Sequence, residues 1–244
     1  MPFDFPDFSK RAQLTELMDQ PCSYQEFRDC LRDLSKVNRS TFAYRPTFHW
    51  LEQITAAYHA EKPLHIVDVG CGYGDWLRRI ATWAARRNIA VKLTGIDLNP
   101  HAAQAARKAA NDKPGNIEWI SGDVFSYHPE QNIDLVISAL FTHHLDDDNI
   151  VRFLRWMEQN ARLGWLINDL HRAAIPYYSF KLLAKCARWH RFVQHDGPVS
   201  IRRGFRRADW LTYAAQAGLA PEKIQLRSFF PGRLCVSRSK TKLP

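Results

Sequence analysis

Hydrophobic positions follow a helical period near the N-terminus, and the first sixty residues read as helices. The stretch "SYQEF" predicts a helix start, with Ser23 as the cap and Glu26 reaching back to the free backbone N–H. Pro46 fits the first turn of another helix that continues through Trp50. We therefore expect residues 1–60 to form an N-terminal helical cap.

From residue 64 onward, short apolar runs alternate with amphipathic stretches. The predicted strands are "LHIVDVG", "VKLTGID", "IEWISGD", "DLVISAL" and "GWLINDL", and the helices between them include "DWLRRIATWAARR" and "NIVRFLRWMEQNA". Strands that alternate with helices predict βαβ units and a parallel sheet covered on both faces. Two final strands, "KIQLRSFF" and "RLCVSRS", are separated only by Pro231 and Gly232 and should form a hairpin. The fold class is α/β, Rossmann-like and doubly wound, with one domain over residues 61–244.

The composition indicates in which cellular compartment the protein is located. The 244 residues are 45% apolar, which suits a packed core, and no apolar run approaches the length that spans a bilayer. The N-terminal "MPFDFPDFSK" lacks a basic region followed by an apolar run, so we expect no signal peptide. Five scattered cysteines without a CxxC favour a reducing compartment. We expect a cytoplasmic protein, with peripheral contact at the inner face of the membrane left open.

Nearly all of the net charge of +9 lies in one segment. Residues 171–207 carry seven arginines and two lysines against a single acid, Asp196. Within this segment "IPYYSFKLLAKCARWHRFV" predicts one amphipathic basic helix, with Leu182 and Phe192 on its apolar face. The segment is either a solvated face, a lid over a hydrophobic pocket, a surface for an anionic bilayer, or a nucleic-acid contact.

A glycine-rich turn follows the first predicted strand, in "VDVGCGYGD". Such a turn lets a ligand approach the backbone closely. An acid, Asp75, stands where a dinucleotide-binding loop would have its third glycine, and another, Asp68, precedes the loop. A carboxylate repels a pyrophosphate but attracts an ammonium group. Asp97 and Asp123 end the next two strands and suit ribose hydroxyls and an adenine amino group, although one such acid alone is commonly a cap.

These motifs resemble those of class I S-adenosylmethionine-dependent methyltransferases, through "VDVGCGYG", "TGIDLNP", "ISGDVF" and "IDLVISALFTHHL". The resemblance implies S-adenosylmethionine as cofactor and a seven-stranded sheet ending in an antiparallel hairpin. It also implies cofactor-binding roles for these residues: Asp68, Gly70, Cys71, Gly72 and Gly74 at the methionine part, Asp97 and Leu98 at the ribose, Asp123 and Val124 at the adenine, and Ser138, Ala139 and Leu140 at the sulfur. Arg45 is similar in position to an arginine that binds the cofactor carboxylate in some relatives, and is otherwise a surface residue.

The stretch "FTHHLDDD" follows the fourth strand, where substrate would meet cofactor. We assign the three aspartates to the start of the next helix, with a divalent metal site as the alternative, and expect no metal. An imidazole can take the proton of a phenol. His144 is the first choice for a general base and His143 the second, with His171 as a partner or alternative; each is otherwise a partly buried ring bonded to the sheet edge.

The same region argues against methylation of nucleic-acid bases. The (N/D)PP(Y/F) motif of base amino-group methylation is absent, and no cysteine nucleophile stands in this loop. The overall pattern resembles bacterial methyltransferases of quinone, phenolic-lipid and polyketide pathways. We expect O-methylation of a small aromatic, phenolic, quinol or polyketide-like substrate, a class that includes amphiphilic molecules. The alternatives are an RNA- or protein-modifying methyltransferase that docks through residues 171–207, and a non-catalytic cofactor-binding module. Oligomeric state is left open.

Overall fold

A single mixed sheet of seven strands forms the centre of the molecule. The computed structural model describes residues 6–56, 58, 62–110 and 117–240. The strands are β1 (Leu64–Val69), β2 (Val91–Asp97), β3 (Ile117–Ser121), β4 (Ile133–Ala139), β5 (Ala161–Leu170), β6 (Gln225–Phe229) and β7 (Arg233–Ser239). They lie in the order β3-β2-β1-β4-β5-β7-β6.

The first five strands are parallel, and β7 enters between β5 and β6 antiparallel to both. The predicted hairpin and the predicted α/β, Rossmann-like class are therefore confirmed. Chain order reverses between β1 and β4, because β2 and β3 lie on one side of β1 and β4 and β5 on the other. In open α/β sheets ligands bind at the carboxyl ends of the strands beside such a switch point.

Eight α-helices surround the sheet in the described part of the chain. They are α1 (Tyr24–Ser40), α2 (Arg45–Thr55), α3 (Asp75–Arg86), α4 (Pro100–Ala110), α5 (Asp147–Asn160), α6 (Ala174–Cys186), α7 (Arg191–Arg203) and α8 (Arg207–Gln216). Ser23 caps α1 as predicted, but the Glu26 carboxylate pairs with Arg191 rather than with the cap backbone. None of the helices in the described ranges is long and apolar enough to cross a membrane.

Apolar side chains cover both faces of the sheet. One cluster places Phe153 and Trp210 of α5 and α8 against β4 and β5. The other places Trp50 and Leu51 of α2 together with Leu77 of α3 against β1 and β2. Because α2 shares this core with the first strands, the N-terminal helices are packed into the domain that follows them.

The basic segment differs from its prediction. It forms two helices, α6 and α7, instead of one continuous helix. The break has a local cause, because Arg188 adopts a left-handed conformation (φ 50°) and the His190 side chain caps α7 by accepting from the N–H of Phe192. The predicted apolar face is divided accordingly: Phe192 is buried, whereas Leu182 remains 66% exposed.

Candidate active site

The glycine loop between β1 and α3 approaches the end of β4 so closely that only glycine fits. Gly70 has a φ of 72°, and a Cβ at this position would lie 2.6 Å from the side chain of Phe141. Both observations favour glycine, since other residues rarely adopt such a φ. The backbone N–H of Gly72 donates to Asp97 Oδ2 at 2.9 Å, which ties the loop to the end of β2.

Two of the predicted acids lie beside this loop and differ in their hydrogen bonding. Asp97 accepts from the N–H groups of Gly72 and Asn99 and lies on the cavity described below. Burial raises its pKa, although these two hydrogen bonds oppose the effect. Asp68 is fully buried, and neither of its carboxylate oxygens has a hydrogen-bond partner within the described ranges. Burial raises the pKa of Asp68 well above its usual range, and the charges of Asp75 and Asp97 add to this effect.

A cavity of about 800 Å³ opens beside the loop. It is lined by the glycine loop, the ends of β2 and β4, helices α1 and α7, and the segment before α1. The sequence-predicted residues on its wall are Gly70, Cys71, Gly72, Asp97, Leu98, Ala139, Leu140, His143 and His144.

Other predicted residues lie off this wall. The hydroxyl of Ser138 donates to the carbonyl of Val69, and one oxygen of Asp123 caps the short 3-10 turn that begins at Val124. The remaining residues outside the lining are Arg45, Asp68, Gly74 and His171. Gly74, the N-cap of α3, lies against Trp119.

Arg45 and His171 have local roles. Arg45 is exposed and its guanidinium lies over the ring of Phe42. The N–H of His171 donates to the carbonyl of Gly232, and burial lowers the pKa of the ring, with the charges of Arg206 and Arg172 in support. Neither residue lines the cavity.

His143 is the most tightly held of the predicted bases. Its ring is 3% exposed, and its Nδ1 lies 2.7 Å from Oδ1 of Asp169 at the end of β5. Although burial opposes ionisation of Asp169, the charge and hydrogen bonds of His143 and the hydroxyl of Thr142 hold its pKa well below the usual range. An ionised Asp169 requires a proton on Nδ1, which leaves Nε2 of a neutral ring as an acceptor.

His144 has a similar but looser arrangement. Its Nδ1 lies 3.3 Å from Oδ1 of Asp19, and its side chain is 26% exposed. Although burial opposes ionisation, the hydrogen bonds and charges of His144 and Arg203 hold the pKa of Asp19 below its usual range. The two rings lie side by side, with centroids 4.3 Å apart. His143 therefore has the shorter carboxylate contact and the more buried ring of the two.

Glu16 joins the two histidines. Its carboxylate lies 3.7 Å from Nε2 of His143 and 3.9 Å from Nε2 of His144, and it also accepts from the hydroxyl of Ser200. Burial raises the pKa of Glu16, while the charges of His144 and Arg203 oppose that shift. The carboxylate is thus placed to stabilise a protonated ring.

The segment before α1 brings Glu16 and Asp19 to the cavity. Asp196 of α7 accepts from the N–H groups of Leu17 and Met18. The fully buried Arg172 donates to the carbonyls of Phe8 and Ser9 and pairs with Asp209. Arg172 and Asp196, both within residues 171–207, therefore hold the N-terminal segment in place.

Sequence reasoning missed Glu16, Asp19, Asp169 and Arg203. For Asp169 a signal existed, because it precedes the end of β5 by one residue and β5 adjoins β4. For Glu16 and Asp19 there was no signal, since they lie in irregular chain and a 3-10 turn. Their position depends on contacts with α7, more than 170 residues away.

The aspartates of "FTHHLDDD" have the predicted helix-starting role. Asp146 caps α5 by accepting from the N–H of Asn149, and Asp147 pairs with Arg11. Separately, Glu16, His143 and His144 offer three ligand atoms within 4.8 Å of one another, a set that divalent metals accept. The same Glu16 oxygen already accepts from Ser200 and lies 3.4 Å from Arg203, which favours a hydrogen-bonded and ion-paired role.

A family model matches the part of the chain that runs from β1 into β5. Residues 66–164 match the family model of a methyltransferase domain. Nodulation protein S of Rhizobium tropici is 28% identical over 143 residues, which are 58% of this chain and 54% of that protein. Malonyl-[acyl-carrier protein] O-methyltransferase 1 of Ilyobacter polytropus is 29% identical over 100 residues, which are 41% of this chain and 35% of that protein. The chain thus spans about half the length of these relatives or less.

Solved structures share the fold over most of the chain. The plantazolicin methyltransferase BpumL, in complex with a pentazolic desmethylPZN analog and SAH, superposes with a TM-score of 0.62 at 14% identity and covers 89% of this chain and 97% of its own. The magnesium protoporphyrin IX methyltransferase ChlM of Synechocystis PCC 6803 with bound SAH has a TM-score of 0.56 at 14% identity and covers 84% and 87%. At this identity the likeness establishes the fold.

Proposed function

Because the chain carries a class I S-adenosylmethionine-dependent methyltransferase domain, we propose that it transfers the methyl group of S-adenosylmethionine to an oxygen of a small aromatic, phenolic, quinol or polyketide-like substrate. The carrying observation is the pair His143 and Asp169 at the carboxyl ends of β4 and β5, because the ring faces the same cavity as the glycine loop. A base is what a hydroxyl acceptor requires, since it must lose a proton to become a strong nucleophile.

The residues around the loop fit the cofactor. Asp68 has two buried oxygens that accept no hydrogen bond within the described ranges, and the ammonium of a methionine part would supply a charged donor. Asp97 lies on the cavity wall at the end of β2, where a carboxylate suits a ribose diol. When bound, S-adenosylmethionine supplies a methyl group on a good leaving group. The protein's task is then to place the acceptor oxygen in line and remove its proton.

His143 performs the proton transfer in this proposal. Nε2 takes the proton of the substrate hydroxyl while Asp169 holds the Nδ1 proton and the ring orientation. Glu16 lies 3.7 Å from Nε2 and lowers the energy of the imidazolium that forms. His144, held by Asp19, completes the wall beside it and is the alternative base.

The cavity wall supports an apolar, ring-sized substrate. Helices α1 and α7 contribute apolar side chains to it, and ligand pockets commonly combine such a lining with a few polar groups. The apolar residues from these helices are Phe27, Leu31, Leu34, Phe192, Val193 and Ile201.

We extend the proposal to a peripheral contact with an anionic membrane through the α6 apolar surface, defined as Ile175, Tyr178, Leu182 and Leu183. These side chains are 81%, 46%, 66% and 44% exposed. Lys181 and Lys185 are exposed on the same helix. Aliphatic side chains flanked by cations suit acyl chains and anionic headgroups better than they suit stacked nucleic-acid bases, which favours lipid over RNA.

Two measurements test the activity. Calorimetric titration with S-adenosylmethionine and S-adenosylhomocysteine should show binding that Asp97→Ala abolishes, because the carboxylate for the ribose is lost. Incubation with S-adenosylmethionine and a panel of phenols, quinols and neutral amines, followed by mass spectrometry, should then give methyl ethers. Binding of neither cofactor form would overturn the proposal, and methylation of the amines alone would overturn the oxygen acceptor.

A further inference from the structure

Arg233 is a buried cation on the cavity wall that belongs to neither the glycine loop nor the histidine cluster. It begins β7, opposite Leu170 at the end of β5, and its residue is only 6% exposed. It contributes to the cavity wall. Its buried Nη1 donates to no acceptor in the part of the chain that the structure describes.

A buried guanidinium without a partner is costly and rare in a folded protein. Burial lowers the pKa of Arg233, while the charge of Asp169 acts in the opposite direction. The Asp169 carboxylate does not bind Arg233, because it accepts instead from the Thr142 hydroxyl, from the N–H groups of His143 and Leu170, and from the His143 ring. The charge of Asp169 therefore favours the buried cation, and its hydrogen bonds to other groups leave Nη1 of Arg233 without an acceptor in the described part of the chain.

The neighbouring arginines differ from Arg233 in this respect. Arg11 donates to the carbonyls of His143 and Leu145 and pairs with Asp147. Arg203 pairs with Asp19 and donates to the carbonyl of His143. These two guanidinium groups hold the site together, whereas Nη1 of Arg233 has no acceptor within the described ranges.

We propose that Arg233 binds a carboxylate of the substrate. This inference rests on the proposed function and narrows its substrate class to a hydroxylated aromatic acid with an apolar substituent. A guanidinium matches a carboxylate with two parallel hydrogen bonds, and a buried site strengthens such a pair. Since Asp169 bonds His143 and Arg233 lies opposite Leu170, the residue after Asp169, the acid group and the reacting hydroxyl lie close together on the ring. The apolar wall from α1 and α7 takes the substituent.

The test compares two ligands that differ only in charge. We would titrate 2-hydroxy-6-pentylbenzoate and its primary amide into the full chain by calorimetry, with and without saturating S-adenosylhomocysteine. The wild-type protein should bind the acid at least tenfold more tightly than the amide. Arg233→Gln should abolish this preference and Arg233→Lys should retain part of it, because lysine keeps the charge and loses the planar pair of donors.

Arg227→Gln is the matched control, because Arg227 lies on the same hairpin and is exposed. It should leave the preference intact. Equal binding of acid and amide by the wild-type protein, or binding of neither, would overturn the inference without any variant. An acid preference that survives in Arg233→Gln would overturn it as well.

The two proposals fail in different ways. Acid-selective binding with no methylation of the acid would contradict the proposed function and support the Arg233 subsite. Methylation of both ligands at equal efficiency would support the proposed function and overturn the subsite.

Discussion

Nδ1 of His143 lies 2.7 Å from Oδ1 of Asp169, and both side chains are almost completely buried. This contact joins the carboxyl ends of two neighbouring parallel strands and orients the ring toward the cavity. It determines which ring nitrogen carries the proton, and so which nitrogen is available to a substrate.

If His143 is the base, His143→Ala should lower kcat by about 10²- to 10⁴-fold, the usual worth of a positioned base. His144→Ala should have a smaller effect, because its contact with Asp19 is longer and its ring is more exposed. His128→Ala is the control, since His128 is exposed and off the cavity wall. Steady-state kinetics with a phenol that the wild-type enzyme methylates would decide which histidine contributes more. A larger loss in His144→Ala would assign the role of base to His144.

Asp169 acts through His143 and is a positioning residue. Asp169→Asn should lower kcat across the whole pH–rate profile, because an amide no longer fixes the proton on Nδ1 of His143 as the carboxylate does. Since the pKa of Asp169 lies well below its usual range, its own titration should not appear in the profile at moderate pH. A loss of rate that is matched by an equal loss of folded protein would indicate only a structural role.

Asp68 gives a prediction about stability. Its folded pKa is raised, so its contribution to stability is present at low pH and is lost as pH rises through that pKa. Asp68→Asn should therefore raise the melting temperature of the cofactor-free protein at neutral pH, because an amide avoids the cost of either ionising or protonating this unpartnered buried carboxyl. The same substitution should weaken binding of S-adenosylhomocysteine.

The matching pH dependence concerns the cofactor itself. Binding of an ammonium group favours the ionised form of Asp68, so affinity for S-adenosylhomocysteine should rise with pH through its raised pKa. Calorimetry over a pH series measures this slope, and Asp68→Asn should flatten it. An equal slope in the variant would show that Asp68 does not bind the ammonium group of the cofactor.

Metal removal separates two uses of the Glu16, His143 and His144 cluster. Because Glu16 is bonded to Ser200 and lies beside Arg203, we expect dialysis against EDTA to leave both the melting temperature and the rate unchanged. A loss of either that is restored by one equivalent of a divalent ion, and abolished in Glu16→Gln, would identify a metal site instead.

Membrane contact should depend on the exposed leucine and isoleucine of α6 and on anionic lipid. Replacing Ile175 and Leu182 by serine should reduce sedimentation with phosphatidylglycerol-containing vesicles, because both side chains are exposed and available for insertion. Lys181→Glu should also weaken it, since each cation near such a surface contributes about 1 kcal/mol. Leu211→Ser, on α8, is the control. Equal binding to neutral phosphatidylcholine vesicles would contradict the electrostatic part.

Much of the fold was predictable because its signals are local. Alternating apolar runs, the Ser23 cap, Pro46 and the Pro231–Gly232 turn each act within a few residues, and the structure confirms the elements they predict. The glycine loop was also predictable, since backbone geometry at Gly70 excludes other residues. The break between α6 and α7 was missed, because the helical spacing of apolar positions continues across Arg188. The backbone at Arg188, however, is left-handed and ends the helical conformation there.

The sequence by itself determined the order of strands and helices along the chain, the glycine loop for the cofactor and the position of the histidines after β4. Only the tertiary structure decided what surrounds those histidines. Asp169, Glu16 and Arg233 are separated along the chain by tens to hundreds of residues, and they meet because β5 and β7 pair and α7 holds the N-terminal segment. Charges and proton positions in the site depend on these long-range contacts, which no local pattern encodes.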